Sequence, residues 1–384
     1  MYRTLILIIF SVLIGGVKAT AQRVSSVAGF PSAEPGFSFG VSASYAGRIG
    51  NWIVMAGGCN FPTPDNKTYY RGIYAARTDR DTLAWRLVGM LPEPAAYGVT
   101  VESGDSLLLI GGCNKDHALQ TVYSLHLEGV GEKADLCRLA DLPYTIDNMA
   151  VAKTGNEVFV VGGNQDGKSS ADILQLSLAA DNNDVAKKGR STVIGSPWVV
   201  VGSLPGNPRV QPVCAAYNNK VYTWGGFYAN GTESEVHTDG YSYDVKSGKV
   251  VGIPAPRSVE GCEMTLAGGI AWTYGSTIYA TGGVNKDIFL DAISGRYNLV
   301  RQKDYLLQPI SWYRFSGNMY RFDAKNGKWL NTTFADKALA RAGAQVVATP
   351  LGIYYIGGEL KPAVRTPQIV LRMDTKKCVI TRKL

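Results

Sequence analysis

Six Gly-Gly pairs set the strongest limit on what this chain can fold into. They are Gly57-Gly58, Gly111-Gly112, Gly162-Gly163, Gly225-Gly226, Gly282-Gly283 and Gly357-Gly358, with successive pairs 51 to 75 residues apart. Each ends a short apolar run: "WIVMAGG", "LLLIGG", "VFVVGG", "VYTWGG", "IYATGG" and "IYYIGG". Several are followed by a strand-like segment ending in Asp, such as "YSYD" (241–244), "YRFD" (320–323) and "LRMD" (371–374). A further segment then carries Trp or ends in Leu-Pro: "WRLVGMLP" (85–92), "LCRLADLP" (136–143), "WVVVGSLP" (198–205). Glycines closing an apolar strand mark a place where another backbone comes too near for a side chain. Six of them in register with the later signals make this a repeat protein.

A repeat of this length and order matches the kelch unit, a four-stranded propeller blade. The sequence thus predicts an all-β fold: one six-bladed kelch-type β-propeller over residues 22–384, with no second domain. Ring closure must remove exposed strand edges. Both "VSSVAGFP" (24–31) and, less clearly, "KCVITRKL" (377–384) have an outer-strand pattern, and the sequence does not choose between them. The fifth unit is long: 37 residues separate Gly283 from Tyr320, whereas 17 separate Gly226 from Tyr243. Its extra segment (286–310) has apolar residues at partly helical spacing, Ile288, Ala292 and Ile293 among them. A partly helical insertion in the fifth blade, acting as a lid or contact surface, is expected.

Residues 1–21 read as an export signal: Arg3, then the apolar run "LILIIFSVLIGG", then Ala19-Thr20-Ala21 as the cleavage site. A periplasmic product with no membrane span is expected. Without Arg3 and Lys18 the formal charge falls from +8 to +6, a balance that suits an anionic ligand. No Lys/Arg-rich run of the kind that tracks nucleic acid occurs. Six cysteines (Cys59, Cys113, Cys137, Cys214, Cys262, Cys378) are scattered and stand apart from the three histidines, so a zinc site is not expected. Buried single thiols are the favoured reading.

In an antiparallel blade the chain enters strand one and leaves strand two at the same end. Residues after each diglycine should therefore share a rim with residues before each first strand. This groups Asn60, Asn114, Asn164, Asn285 and Glu359 with Phe37, Tyr97, Asn148, Arg209, Gln211, Glu260 and Arg341, and adds Lys361 and Arg365 from the loop after Glu359. Plainer readings stand beside these. Asn after Gly-Gly is a normal turn residue, an arginine can tie down a loop carbonyl, and Glu359 with Lys361 and Arg365 can be a loop salt bridge. Against that, the other five units carry Cys, Asn, Phe or Val directly after Gly-Gly, and only Glu359 is an acid.

"GGELKPAVRT" (357–366) and "TGGVNKDIF" (281–289) resemble the two sharpest motifs of the sialic acid mutarotases, or N-acetylneuraminate epimerases. "PRVQPVCAAYNNKVYTWGG" (208–226) and "AAYGVTVESGDSLLLIGG" (95–112) are similar to other blades of that family. The glutamate blade comes last here, which suits the cyclically permuted branch. The resemblance implies cofactor-free interconversion of the α and β anomers of N-acetylneuraminate, with Glu359 as proton carrier and Arg365 lining the pocket. Ala363 stands where the family's motif usually has glycine. The chemistry fits: one carboxylate can act as general base and return the proton, and an arginine fork suits the substrate's carboxylate. Arg365 is the first choice for that contact and Arg209 the second. Gln211, Lys361, Asn285, Asn60, Asn114 and Tyr97 are the other substrate-binding candidates, the ligand being a small sugar acid with no protein partner evident. A sialidase would need Asp-boxes, which are missing, and a copper oxidase needs histidine ligands. The serious alternative is a non-catalytic kelch propeller that binds a glycan or protein.

Overall fold

The structure is a computed structural model and describes residues 24–78, 82–129, 131–178, 197–330 and 334–373. The expected export signal, the second candidate closing segment (377–384) and Cys378 lie outside these residues. Among them no helix is long and apolar enough to cross a membrane.

The described chain is almost entirely β, in six four-stranded antiparallel sheets. The first sheet runs Tyr45–Ile49, Trp52–Ala56, Gly72–Arg77, Arg86–Met90. The second runs Val99–Ser103, Ser106–Ile110, Val122–Glu128, Lys133–Arg138. Ala150–Thr154, Glu157–Val161, Asp172–Ser177 and Val199–Ser203 form the third. The fourth comprises Val213–Tyr217, Lys220–Trp224, Gly240–Asp244 and Val250–Ile253. The fifth is Gly269–Tyr274, Thr277–Gly282, Met319–Asp323 and Lys328–Leu330. The sixth joins Gln345–Thr349, Gly352–Ile356 and Ile369–Met373 to the N-terminal strand Val24–Val27. Val24 to Val27 pair with Arg372 to Ile369, so among the described residues the N-terminal segment is the outermost strand.

Second strands such as Ser106–Ile110 are buried throughout, because each sheet is covered on both faces by its neighbours. That explains why they read as unbroken apolar runs and not as an alternation. Apolar clusters join successive sheets around the molecule. Leu107 and Leu109 pack with Val54 and Ile73, Leu108 and Ile110 with Val158 and Val160, and Ile53 and Met55 with Tyr354 and Ile356. The last cluster joins the sixth sheet to the first.

A ring of backbone hydrogen bonds runs inside this arrangement. Tyr97 N donates to Ala43 O, Asn148 N to Tyr97 O, Gln211 N to Asn148 O, Gly268 N to Gln211 O, Gly343 N to Gly268 O, and Ala43 N to Gly343 O, at 2.7–3.0 Å. Each of the six residues precedes a first strand and has positive φ, between 53° and 70°. Ala43, Tyr97, Asn148 and Gln211 accept this left-handed conformation despite the cost to an L-residue. The ring fixes them.

The diglycines seat one sheet against the next. The second glycine's N–H donates to the chain entering the neighbouring sheet, as in Gly58 N to Ala95 O (2.7 Å) and Gly358 N to Val41 O (2.9 Å). A Cβ on Gly57 would lie 2.2 Å from Ala95 O, and one on Gly357 2.5 Å from Val41 O. No side chain fits there.

Between strands two and three, four sheets carry short hairpins, including Cys59–Thr63 with Asn66–Tyr69 and Glu359–Lys361 with Val364–Arg365. The fifth carries a helix, Lys286–Ile293, a short turn of helix at Gln302–Tyr305 and a 3-10 turn at Ile310–Tyr313. Among the described cysteines none is in a disulfide. Cys59 and Cys214 are buried, but Cys262 is exposed, against the expectation of buried thiols.

Candidate functional site

A cavity of about 280 Å³ lies inside the hydrogen-bonded ring, with Ala43, Tyr97, Asn148, Gln211, Gly268, Gly343 and Glu359 among its walls. A second, of about 220 Å³, lies beneath the insertion between Phe227, Ile288, Phe289, Tyr305, Tyr313, Phe315 and Pro362, with Asn285 at its edge. Gln211, Ala342 and Glu359 line both. The glutamate therefore stands where the central cavity meets an aromatic one.

Glu359 reaches this point through backbone pairing: Glu359 N donates to Ala342 O (2.7 Å) and Ala342 N to Glu359 O (2.9 Å). The same pairing holds Ser42 against Cys59, Ala96 against Cys113 and Val210 against Phe227. Hence Cys59, Cys113, Asn164, Phe227, Val284 and Glu359 are the equivalent positions.

Asn60 and Asn114 are one residue further on, line neither cavity, and have their side chains engaged within the fold. Asn60 Nδ2 donates to Gly36 O and Gly40 O at 2.8 Å, and its Oδ1 accepts from Tyr70 Oη. Asn114 Oδ1 accepts from the backbone N–H of Asp116 and His117 while its Nδ2 donates to Glu93, a turn-forming role. Asn285 does line the aromatic cavity, and also caps the helix there, its Oδ1 accepting from Ile288 N (3.1 Å).

Arg209 is a second correction. Its side chain is 1% exposed, donating to Gly225 O (3.0 Å) and to both oxygens of Asp239 (2.8 Å). Arg341 does the same in the sixth sheet, donating to Gly357 O and Gln368 O. Each ties its diglycine carbonyl. Lys361 is the third, because its ammonium donates to Leu306 O (2.9 Å) and Gln308 O (2.7 Å). It fastens the insertion to the glutamate hairpin. Of the wider rim set, Phe37 is a core residue and Glu260 lies in an exposed loop.

Glu359, Arg365, Tyr97 and Gln211 are brought together. Arg365 Nη1 lies 3.0 Å from Glu359 Oε1, with the arginine side chain 3% exposed and the glutamate 23%. The guanidinium also lies over the Phe61 ring, 5.3 Å from its centroid. Burial pushes the Glu359 carboxyl above the ordinary range, opposed by Arg365, by the Ala363 N–H and by Lys67. Ala363 makes that contact with φ 64°, the left-handed conformation glycine adopts without cost, which accounts for glycine in the family's motif. Tyr97 accepts a hydrogen bond from Cys59 Sγ (3.4 Å), and its phenol is held well above its usual range, first by burial. Gln211 donates to Asn148 Oδ1 (2.7 Å).

Sequence reasoning missed Lys67, Tyr305 and Tyr313. Lys67 Nζ sits 4.5 Å from the Tyr97 ring centroid and 4.9 Å from that of Tyr69. Tyr305 and Tyr313 come from the insertion, packing edge to face (5.4 Å) near Glu359. A cationic side chain in the hairpin after the first diglycine was the available signal for Lys67. Nothing comparable marks the tyrosines.

Residues 192–382 match the family model described as N-acetylneuraminate epimerase. The chain is 27% identical over 222 residues to N-acetylneuraminate epimerase 1 of Escherichia coli O6:H1, covering 54% of this chain and 55% of that one. It is 27% identical over 255 residues to the N-acetylneuraminate epimerase of Pasteurella multocida, covering 64% and 61%. The match to the Haemophilus influenzae enzyme covers 46% of that protein, so the chain spans about half the length of the curated relatives it matches. The solved structure of YjhT superposes with a TM-score of 0.61 over 88% of this chain and 95% of its own, at 13% identity; that likeness concerns the fold. These matches show the chain to be similar to the N-acetylneuraminate epimerases, most clearly over residues 192–382.

Proposed function

We propose that this chain is a sialic acid mutarotase that interconverts the α and β anomers of free N-acetylneuraminate. Its frame is a single six-bladed kelch-type propeller over residues 22–384, with a partly helical insertion in the fifth blade, exported to the periplasm behind residues 1–21. The closed ring of six backbone hydrogen bonds supports the blade count.

The observation that carries the functional reading is the place of Glu359, the acid common to both cavities. Mutarotation moves only protons and one C–O bond. Glu359 takes the proton of the anomeric hydroxyl, the bond from the anomeric carbon to the ring oxygen breaks, and the ring oxygen receives a proton back from Glu359, directly or through a water. The open ketone rotates and recloses on its other face by the reverse transfers. A carboxyl held above its ordinary range by burial is suited to both halves, since a more basic carboxylate takes up the anomeric proton more readily and still returns it. Arg365 holds the carboxylate in position. The aromatic cavity beneath the insertion suits the methyl of the N-acetyl group, and Gln211 and Asn285 at its edge suit the amide.

Proton NMR of freshly dissolved N-acetylneuraminate tests this, because the two anomers give separate signals that relax to equilibrium slowly on their own. The wild-type protein should accelerate that relaxation. Binding without acceleration would make the chain a glycan-binding propeller instead.

A further inference from the structure

We propose that Lys67, and not an arginine, receives the carboxylate of the substrate; this rests on the sugar-acid reading above. The positive groups around Glu359 differ in what they already hold. Arg365 is almost wholly buried and faces Glu359. Arg209 and Arg341 are inside the frame, bound to diglycine carbonyls. Lys361 donates to two carbonyls of the insertion. Lys67 has no ion pair or hydrogen bond among the described residues.

Its position is nonetheless constrained. It rises from the hairpin strand Asn66–Tyr69, half-buried, with its ammonium against the rings of Tyr69 and Tyr97. Tyr97 in turn lines the central cavity. Aromatic rings hold a cation without neutralising it, so the three N–H donors and the full charge remain for an anion. No carboxylate pairs with that charge among the described residues, and Glu359, the acid of the cavity wall, faces Arg365. Lys67 therefore holds a positive charge against Tyr97, a residue of the cavity wall. An α-keto sugar acid has its carboxylate on the anomeric carbon itself. A cation held against Tyr97, on the same cavity wall as Glu359, is placed to meet that group when the anomeric hydroxyl meets the glutamate.

The test compares N-acetylneuraminate with its neutral methyl ester, by equilibrium titration and by anomer exchange, on the wild-type protein, Lys67→Met and Lys67→Arg. Losing a charge-assisted contact should weaken binding of the acid roughly 10- to 100-fold in Lys67→Met, with KM rising and kcat little changed. Lys67→Arg should recover most of this, and the methyl ester should bind all three proteins alike. Equal affinity of wild type and Lys67→Met for the acid overturns the assignment, as does equal affinity of wild type for acid and ester. If the wild type binds the acid but exchanges no anomers, the catalytic reading fails while Lys67 is still judged by the titration. If it binds neither ligand, both fail.

Discussion

Glu359→Gln separates proton transfer from structure, and the geometry states what each part should lose. The amide keeps the size of the side chain and an oxygen that can accept from Arg365 and the Ala363 N–H, but it can no longer take a proton. A positioned general base contributes about 10²–10⁴-fold, so the catalysed exchange rate should fall by that factor while N-acetylneuraminate still binds. The structural penalty comes from Arg365, left 3% exposed without its counterion. Breaking a fully buried pair costs roughly 3–5 kcal/mol. Here the carboxylate is 23% exposed and the amide retains one acceptor, so about 1–2 kcal/mol is the expected loss. A chain of this length has an unfolding entropy near its midpoint of about 0.8 kcal/mol/K, which turns that loss into a Tm decrease of about 1–3 °C. The assay is NMR anomer exchange beside a melting curve and a binding titration on the same preparation. Wild-type exchange by Glu359→Gln would make the residue a loop ion-pair partner and refute the mechanism. A drop in Tm of about 10 °C or more, with activity falling in step, would refute the catalytic assignment by making the loss structural.

Other expectations follow from the same contacts. The acid limb of the pH–activity profile should lie above the ordinary carboxyl value of 4.5, since burial raises Glu359 and only its ionised form accepts a proton. Arg365→Gln should move that limb further up, and Lys67→Met should do so by less; a limb at or below the ordinary value would contradict the burial argument. Stability has the opposite sign. A raised carboxyl contributes to folding most fully below its unfolded value and loses that contribution as pH climbs through its folded value, so Glu359→Gln should cost least stability at high pH. Ala363→Gly should raise stability by about 1 kcal/mol, read by denaturant midpoint, because it removes a left-handed alanine; a loss instead would mean the loop gains more from alanine's stiffness. Lys361→Met should release the insertion, with faster limited proteolysis between 286 and 316 and an unchanged cleavage pattern elsewhere; equal cleavage rates would show the two carbonyl contacts to be dispensable.

Much of the architecture was written along the chain, because it depends on local repeats. A diglycine ending an apolar run requires a close backbone approach wherever it occurs, and Gly57 and Gly357 meet carbonyls of the next sheet for that reason. Unbroken apolar second strands follow equally from burial on both faces. Glu359 was legible as the one acid in an otherwise non-acidic set, and Arg365 as its neighbour in a short loop. What the chain alone did not decide was which polar side chains remain available to a ligand. Asn60 and Asn114 had the right residue type, but carbonyls, a phenol and turn N–H groups of the fold occupied them. Arg209 and Lys361 carried the right charge, but carbonyls brought from 16 and more than 50 residues away occupied them. The tyrosines of the insertion share a cavity with Glu359, and Lys67 meets Tyr97 of the central wall, only because the fold brings the first hairpin, the last hairpin and the fifth-sheet insertion together. Residue type and spacing determine where a strand must end; only the closed ring determines which hydrogen-bonding groups are already satisfied when a substrate arrives.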